Sequence, residues 1–561
     1  MAFEMSHKDV CGRIGKISTK TGAIETPVLL PVVNPFAARG LPPETLQSEF
    51  GCEAIITNAY LLWRHSKEEA VKLGVHRQLG FSKSVMTDSG AYQLLVYGDV
   101  DVSPNEILSF QEDIGSDIGV ILDVPTGGHE KRERAKFTVE ETIRRAQEWS
   151  RTRKREDILW VGPVQGGTYL DLVESSAKRM ADMDFSIHAI GSPTQIMESY
   201  RYDKLVDLIM TAKMNLPIER PVHLFGAGHP SMFSLAVALG CDMFDSASYA
   251  LYAKDDRYMT NFGTRRLSEL REKICFCPAC DSYTLAEMTS LPSDERFNLI
   301  ARHNLYLCLD EIRLIKQAIY EGRLWELVEV RARTHPRLLE GLKKLGKYRA
   351  YLEKHSPMIK EHAIFYLGPE SLLRPEVTRH LMKLKTIPVP LSAEILIVLP
   401  EPPKRPYSKT KEQKRYRKII RGVFPGNDLR KVHFCTVSKF FGLVPMELDE
   451  TYPLAQHEVP RTIDLESKKL ISHTLKTYIK SHKYSVVIIH LDHRVIGEES
   501  AKRIVNLCDQ LGVRVFVGPL EKIDPKSKHA LEEFRSSLIE AHKILFKPSR
   551  PEALASKGDE D

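Results

Sequence analysis

Eight short apolar runs, each followed by a polar or amphipathic stretch, fill the first 250 residues of this 561-residue chain. They read "PVLLPVV" (27–33), "EAIIT" (53–57), "SVMTD" (84–88), "IGVILD" (118–123), "ILWVGPVQ" (158–165), "SIHAIG" (186–191), "PVHLFG" (221–226) and "CDMFD" (241–245). Runs this short are strands buried on both faces, and the intervening segments carry helical periodicity. The clearest such segment is "FTVEETIRRAQEWSRTRKRE", where Thr138 and Glu141 read as a capping box and Val139, Ile143 and Ala146 line one face. Strand and helix alternating eight times predicts an α/β fold, a (β/α)8 TIM-like barrel. An open doubly wound sheet competes, but eight units over this length suit closure better.

A closed parallel barrel gathers functional groups at the C-terminal ends of its strands, where the βα-loops share one mouth. Those ends carry Asp88 in "MTDSGAYQ", Asp123 in "ILDVPTGG", Gln165 in "GPVQGG", Gly191 in "AIGSP" and Asp245 in "FDSASYALYA". Each alone has an ordinary explanation as a cap, a turn residue or a permissive glycine; Asp245 in particular reads as a helix N-cap. Five at corresponding positions point to a site. Paired carboxylates suit glycosidic-bond chemistry, one attacking the anomeric carbon and the other moving protons. Asp123, Gln165 and the Gly191 backbone suit the polar edge of a planar base, with Tyr92 stacking on its face.

A second signal follows the barrel. "CFCPAC" places Cys275, Cys277 and Cys280 within one loop, and His303 lies on the following amphipathic stretch. Three thiolates and an imidazole make a closed tetrahedral zinc site with no position left for water, so the expected role is structural, one Zn2+ per chain. The other cysteines are scattered, which argues for a reducing, cytoplasmic setting rather than a disulfide framework. No apolar run reaches the ~18 residues of a membrane span, and the N-terminus lacks the apolar core of a secretory signal. With 42% hydrophobic and 27% charged residues, the chain is globular and long enough for several domains.

Net charge is only +6, but residues 402–422, "PPKRPYSKTKEQKRYRKIIRG", hold nine Lys or Arg against one Glu. Tyr407 and Tyr416 interleave with Lys404, Arg405, Lys409, Lys411, Lys414 and Arg415, a pattern suited to phosphate contact plus base stacking. Around it "AEILIVLP", "SVVIIHLD" and "VRVFVGPL" read as strands of a separate, smaller α/β domain.

The motifs "MTDSGAYQ", "PVQGG", "HLFGAGHP", "FDSASYALYA" and CxCxxC…H together resemble the tRNA-guanine transglycosylase family, in its archaeal form, over residues 10–350. The resemblance implies exchange of guanine at position 15 of the tRNA D-arm for 7-cyano-7-deazaguanine, a step toward archaeosine. By motif, Asp245 would be the nucleophile, Asp88 the general acid/base, and Asp123, Gln165 and Gly191 readers of the base edge. Tyr92 would stack where the archaeal enzymes more often have Phe. Together with the strand and composition pattern beyond it, the resemblance gives the expected division: 1–270 catalytic barrel, 271–360 zinc-binding and helical subdomain, 361–392 connection, 393–545 α/β domain contacting tRNA, and 546–561 disordered tail. A homodimer is implied, and a PUA domain, usual in the family, is not recognisable here, so a separate PUA-domain polypeptide is a candidate partner. Two alternatives remain. One is a paralogue like archaeosine synthase, which adds lysine to the modified base; "EPPKRPYSKTKEQKR" lacks the Cys and His of its signature. The other is a non-catalytic tRNA-binding subunit, which would have no use for Asp245.

Overall fold

The computed structural model describes residues 3–91, 102–519 and 523–546. The chain divides into two compact units, Met1–Glu361 and His362–Asp561.

The first unit opens with an antiparallel sheet, β1 (Phe3–Asp9), β2 (Gly12–Ser18) and β3 (Ala23–Thr26). The eight apolar runs then form β4 (Val28–Val33), β5 (Ala54–Asn58), β6 (Ser84–Asp88), β7 (Ile118–Val120), β8 (Leu159–Val164), β9 (Ile187–Ile190), β10 (Val222–Leu224) and β11 (Met243–Ser246). They close into a parallel barrel, β11 pairing with β4. Alternate residues fill its interior: Leu30, Ile56, Met86, Val120, Val161 and Met243 share one buried cluster. Each such side chain removed from water contributes about 1.5–3 kcal/mol. Ile17 and Ile24 join that cluster from the N-terminal sheet. Arg13 on β2 pairs with Asp242, just before β11, at 2.7 Å, with both side chains nearly inaccessible. The N-terminal sheet therefore covers the N-terminal end of the barrel, and the strand ends with their functional groups lie at the other.

Helices pack outside. Gln111, fully buried on the helix Pro104–Asp113, accepts from Thr87 Oγ1 at 2.8 Å and from the Val120 N–H at 3.2 Å, and donates to the Val120 carbonyl at 3.1 Å. One amide thus ties a helix to two strands. The expected capping box at Thr138 is not formed. The helix begins at Arg132, because "RERAKF" continues the helical face through buried Ala135. Thr138 sits inside it, bonded to Thr126 Oγ1 at 2.6 Å and the Ala135 carbonyl at 2.8 Å, while Glu141 pairs with Arg144 and Arg145. Val139, Ile143 and Ala146 are buried as the periodicity required. After the barrel come a hairpin, β12 (Arg257–Thr260) and β13 (Gly263–Arg266), the cysteine loop, and the long helix Ser293–Tyr320.

In the second unit β14 (Ile364–Phe365) leads to a five-stranded sheet made of β15 (Ile395–Leu399), β16 (Val432–Ser438), β17 (Gly442–Pro445), β19 (Val486–His490) and β20 (Arg514–Gly518); β18 (His457–Glu458) pairs with β14. The order is β17-β16-β15-β19-β20, parallel except for β17. Central β15 is buried on both faces: Leu396 and Val398 enter one core, Ile395, Ile397 and Leu399 the other. The three strands read from sequence are β15, β19 and β20. Residues 361–392, expected as a connection, carry β14 and the helix Pro375–Leu384, whose Val377 and Leu384 are buried. Of the tail 546–561, residues 547–561 lie outside the described residues. Among the described residues, no helix is long and apolar enough to cross a membrane.

Candidate active site

Asp88 is the last residue of β6 and Asp245 the third of β11; both share the inward face of the residue two before them, Met86 and Met243 of the interior cluster. Asp123 follows β7 by three residues and is buried, 4% exposed. The structure brings these three carboxylates into one electrostatic environment. Burial, then the negative charges of Asp123 and Asp245, push Asp88 up from 3.8 to about 7, against backbone N–H donors at Gly90 and Ser89. Burial pushes Asp123 up to about 6, opposed by its hydrogen bond from Gln165. Two carboxyl groups near neutral pKa beside a third are the arrangement by which acid/base sites keep a transferable proton.

Each group is oriented. Asn58, paired with Asp88 in the β5–β6 ladder, donates Nδ2 to Asp88 Oδ2 at 3.2 Å while its Oδ1 caps the helix Ala59–Leu73 through the Leu61 N–H at 2.9 Å. Gln165 donates Nε2 to Asp123 Oδ2, and its Oε1 accepts from the Thr126 N–H at 2.9 Å and Ser192 Oγ at 3.2 Å. Three neighbours therefore settle which way the amide points. Gly191 is buried against this amide, its N–H donating to the Val164 carbonyl at 2.9 Å. Ser192 holds φ +55°, a left-handed angle unusual for a residue with a side chain.

Asp245 does not cap the following helix. That helix, Ser248–Lys254, has Ala247 at its N-cap, and Ser246 Oγ accepts from the Ser248 N–H at 3.1 Å. Asp245 Oδ1 instead accepts from His223 Nε2 and from the Gly226 N–H, both at 2.9 Å. Asp245 Oδ2 has no hydrogen-bond partner among the described residues. Sequence reading gave no role to Asn58, Ser192, His223 or Gly226, although the last three lie within its motifs "AIGSP" and "HLFGAGHP". The signal available for His223 was a titratable ring within "PVHLF", a run otherwise apolar. Tyr92, expected to stack on the base, lies outside the described residues.

Cys275, Cys277, Cys280 and His303 converge, their ligand atoms all within 4.8 Å of one another, and can hold a metal ion. His303, from the helix Ser293–Tyr320, bonds the Met259 carbonyl through Nε2 at 2.8 Å, which turns Nδ1 toward Cys277 Sγ at 3.6 Å and Cys280 Sγ at 3.5 Å. Tyr258 stacks on the imidazole, centroids 3.5 Å apart, and its hydroxyl lies 3.1 Å from Cys280 Sγ. A ring nitrogen anchored to a carbonyl while the other faces the cysteine sulfurs is the arrangement by which a metal-binding histidine is held in its tautomer.

In the second unit, the basic stretch runs through a short turn, Tyr407–Lys409, into the helix Lys411–Val423, and its residues divide by burial. Lys404, Lys409, Lys411, Lys414 and Arg415 are exposed, Lys409 being paired with Glu450 at 2.8 Å. Arg405 is largely buried in an ion pair with Glu401 at 2.8 Å. Tyr407 and Tyr416 are core residues, their hydroxyls donating to Glu401 at 2.8 Å and to the Pro525 carbonyl at 3.2 Å. The expected base stacking by these two rings is therefore excluded; they are spaced to fill a core.

Comparison with known proteins agrees with this geometry. The family described as queuine tRNA-ribosyltransferase matches residues 9–337, and a family described as a domain of unknown function (DUF5591) matches residues 377–538. Similar proteins include the tRNA-guanine(15) transglycosylase of Methanobrevibacter smithii, 42% identical over 87% of this chain and 73% of that protein. Those of Methanocaldococcus jannaschii and Methanococcus aeolicus are 44% and 43% identical, over 83% and 82% of this chain and 70% and 69% of theirs. A family match to more than half of the chain, with the strand-end carboxylates and the Cys3His cluster inside it, places this chain in the queuine tRNA-ribosyltransferase family.

Proposed function

We propose that this chain is a tRNA-guanine(15) transglycosylase, exchanging guanine at position 15 of tRNA for 7-cyano-7-deazaguanine in archaeosine biosynthesis. The observation that carries this reading is the division of labour among the carboxylates. Asp245 has one oxygen held by two donors and the other without a partner among the described residues, whereas Asp88 holds a proton near neutral pH. Asp245 Oδ2 attacks C1′ of the ribose; the C1′–N9 bond breaks, and the departing guanine takes the proton of Asp88. The resulting ribosyl ester is opened when an incoming base gives its N9 proton to Asp88 and attacks C1′ from the opposite face, releasing Asp245. Two inversions leave the sugar configuration unchanged, as in retaining glycoside hydrolysis with a base in place of water. Asp123 and Gln165, already bonded to one another, offer their remaining acceptor and N–H to the edge of the base.

Zinc is the metal proposed for the Cys3His site. Its donor set suits that ion, and four protein ligands leave no coordination position for substrate, so the ion organises the loop and the helix behind it without entering the chemistry. The exposed basic face of the helix Lys411–Val423 is proposed to contact RNA phosphate. The decisive experiment is incorporation of labelled guanine into a tRNA transcript with mapping of the labelled position. Exchange at position 15 is expected; absence of exchange, or incorporation of lysine instead, would overturn the reading.

A further inference from the structure

We infer that His223 is a positioning residue for the nucleophile, holding Asp245 Oδ1 so that Oδ2 is the attacking oxygen. This inference rests on the assignment of Asp245 as nucleophile. His223 lies on β10, opposite Met243 of β11 and Ala189 of β9, both members of the barrel interior. Asp245 is two residues beyond Met243, on the same face, so the imidazole reaches up one layer to meet it at 2.9 Å. Its neighbours on the strand, Val222 and Leu224, are fully buried and apolar, and His223 itself is 0% exposed. A polar ring in such a place costs desolvation that an aliphatic side chain would not. Its contact with Asp245 through Nε2 offsets part of that cost, since Nδ1 has no hydrogen-bond partner among the described residues. A carboxylate oxygen can only accept, so Nε2 carries the proton.

A second donor converges independently. Gly226 adopts φ +63°, and a Cβ there would stand 2.5 Å from Thr194 Oγ1, so the loop after β10 is shaped around a glycine whose N–H meets the same Oδ1 at 2.9 Å. With both donors on Oδ1, rotation of the carboxylate is blocked and the lone pairs of Oδ2 remain for C1′. The same pair serves the return step. In the ribosyl ester Oδ1 is the carbonyl oxygen, and as the ester C–O bond breaks the two N–H groups face the negative charge that returns to the carboxylate. His223 thereby favours both halves of the exchange without touching substrate.

The test compares His223→Leu, which removes the donor, with His223→Gln, whose amide Nε2 replaces the ring N–H. For His223→Leu, kcat for guanine exchange should fall roughly 10- to 100-fold, the effect of removing one charge-assisted hydrogen bond, with KM for tRNA and guanine within about two-fold of wild type. His223→Gln should restore most of kcat. Single-turnover formation and decay of the covalent adduct should both slow in His223→Leu. Wild-type kcat in a folded His223→Leu, or a His223→Gln as slow as His223→Leu, would overturn the inference. Asp245→Asn separates the two readings: activity in that variant would sink the nucleophile assignment itself, whereas an inactive Asp245→Asn beside a fully active His223→Leu would sink only the role of His223.

Discussion

Gly191 and Gln165 approach each other so closely that a Cβ on Gly191 would lie 2.3 Å from Gln165 Nε2 and 2.8 Å from the Val164 carbonyl oxygen. The glycine is required by that approach rather than by its backbone angle. In Gly191→Ala the amide must swing away, releasing Asp123 Oδ2 and the Thr126 N–H together. Overpacking of this kind costs about 1–3 kcal/mol. KM for guanine should rise at least ten-fold while KM for tRNA changes little. Equal rises in both would show that Gly191 acts on the fold rather than on base binding.

Replacing the two aspartates by asparagine should separate their roles. Asp245→Asn should abolish both exchange and the adduct of tRNA mass seen on denaturing gels with wild-type protein. Asp88→Asn should cut the rate by about 10²- to 10⁴-fold, the usual effect of removing a general acid/base, and still form the adduct slowly. An adduct that persists without Asp245 and vanishes without Asp88 would reverse the assignments.

Asp88 also makes a statement about stability. Its carboxyl is raised from 3.8 to about 7, so the folded chain binds that proton more tightly than the unfolded one. The contribution is fully present below pH 3.8 and is lost as pH rises through about 7. Asparagine mimics the protonated carboxyl and does not titrate. The thermal midpoint of Asp88→Asn, relative to wild type, should therefore climb between about pH 4 and about pH 8. A difference independent of pH would mean that Asp88 titrates alike in both states.

Metal analysis of purified protein should find about one zinc equivalent per chain, lowered in Cys277→Ser together with protection of the 275–303 region from proteolysis. Chelation should destabilise that region without altering the base-binding groups at the barrel mouth. Full metal content in a triple variant of Cys275, Cys277 and Cys280 would place the ion elsewhere.

Because Tyr407 and Tyr416 are buried, the basic helix can offer RNA only its charges. Changing Lys411, Lys414 and Arg415 to Gln should weaken tRNA binding and reduce the slope of log affinity against log salt by about one for each phosphate no longer neutralised. Changing Tyr416 should instead lower stability, since its ring packs edge-on against Phe534, centroids 5.7 Å apart. An unchanged salt slope in the triple variant would leave the helix a solvated face.

The barrel was legible in the chain because strand and helix periodicity are local properties: eight apolar runs became eight strands, and their ends named Asp88, Asp123, Gln165, Gly191 and Asp245 before any packing was known. The Cys3His cluster was legible for a related reason, three of its ligands lying within six consecutive residues. Local pattern misread Thr138, which has the composition of a cap but lies within a helix that starts earlier, and the two tyrosines: Tyr416 is on the buried side of a helix whose other side is basic, and Tyr407 is buried in the turn before it. What only tertiary structure decided was which partners meet: Asn58 with Asp88 across 30 residues, Ser192 with Gln165 across 27, and His223 with Asp245 across 22. Those meetings depend on strand register and on the path of each βα-loop. A hydrogen bond holds only within a few tenths of an ångström, a tolerance that no residue spacing along the chain expresses.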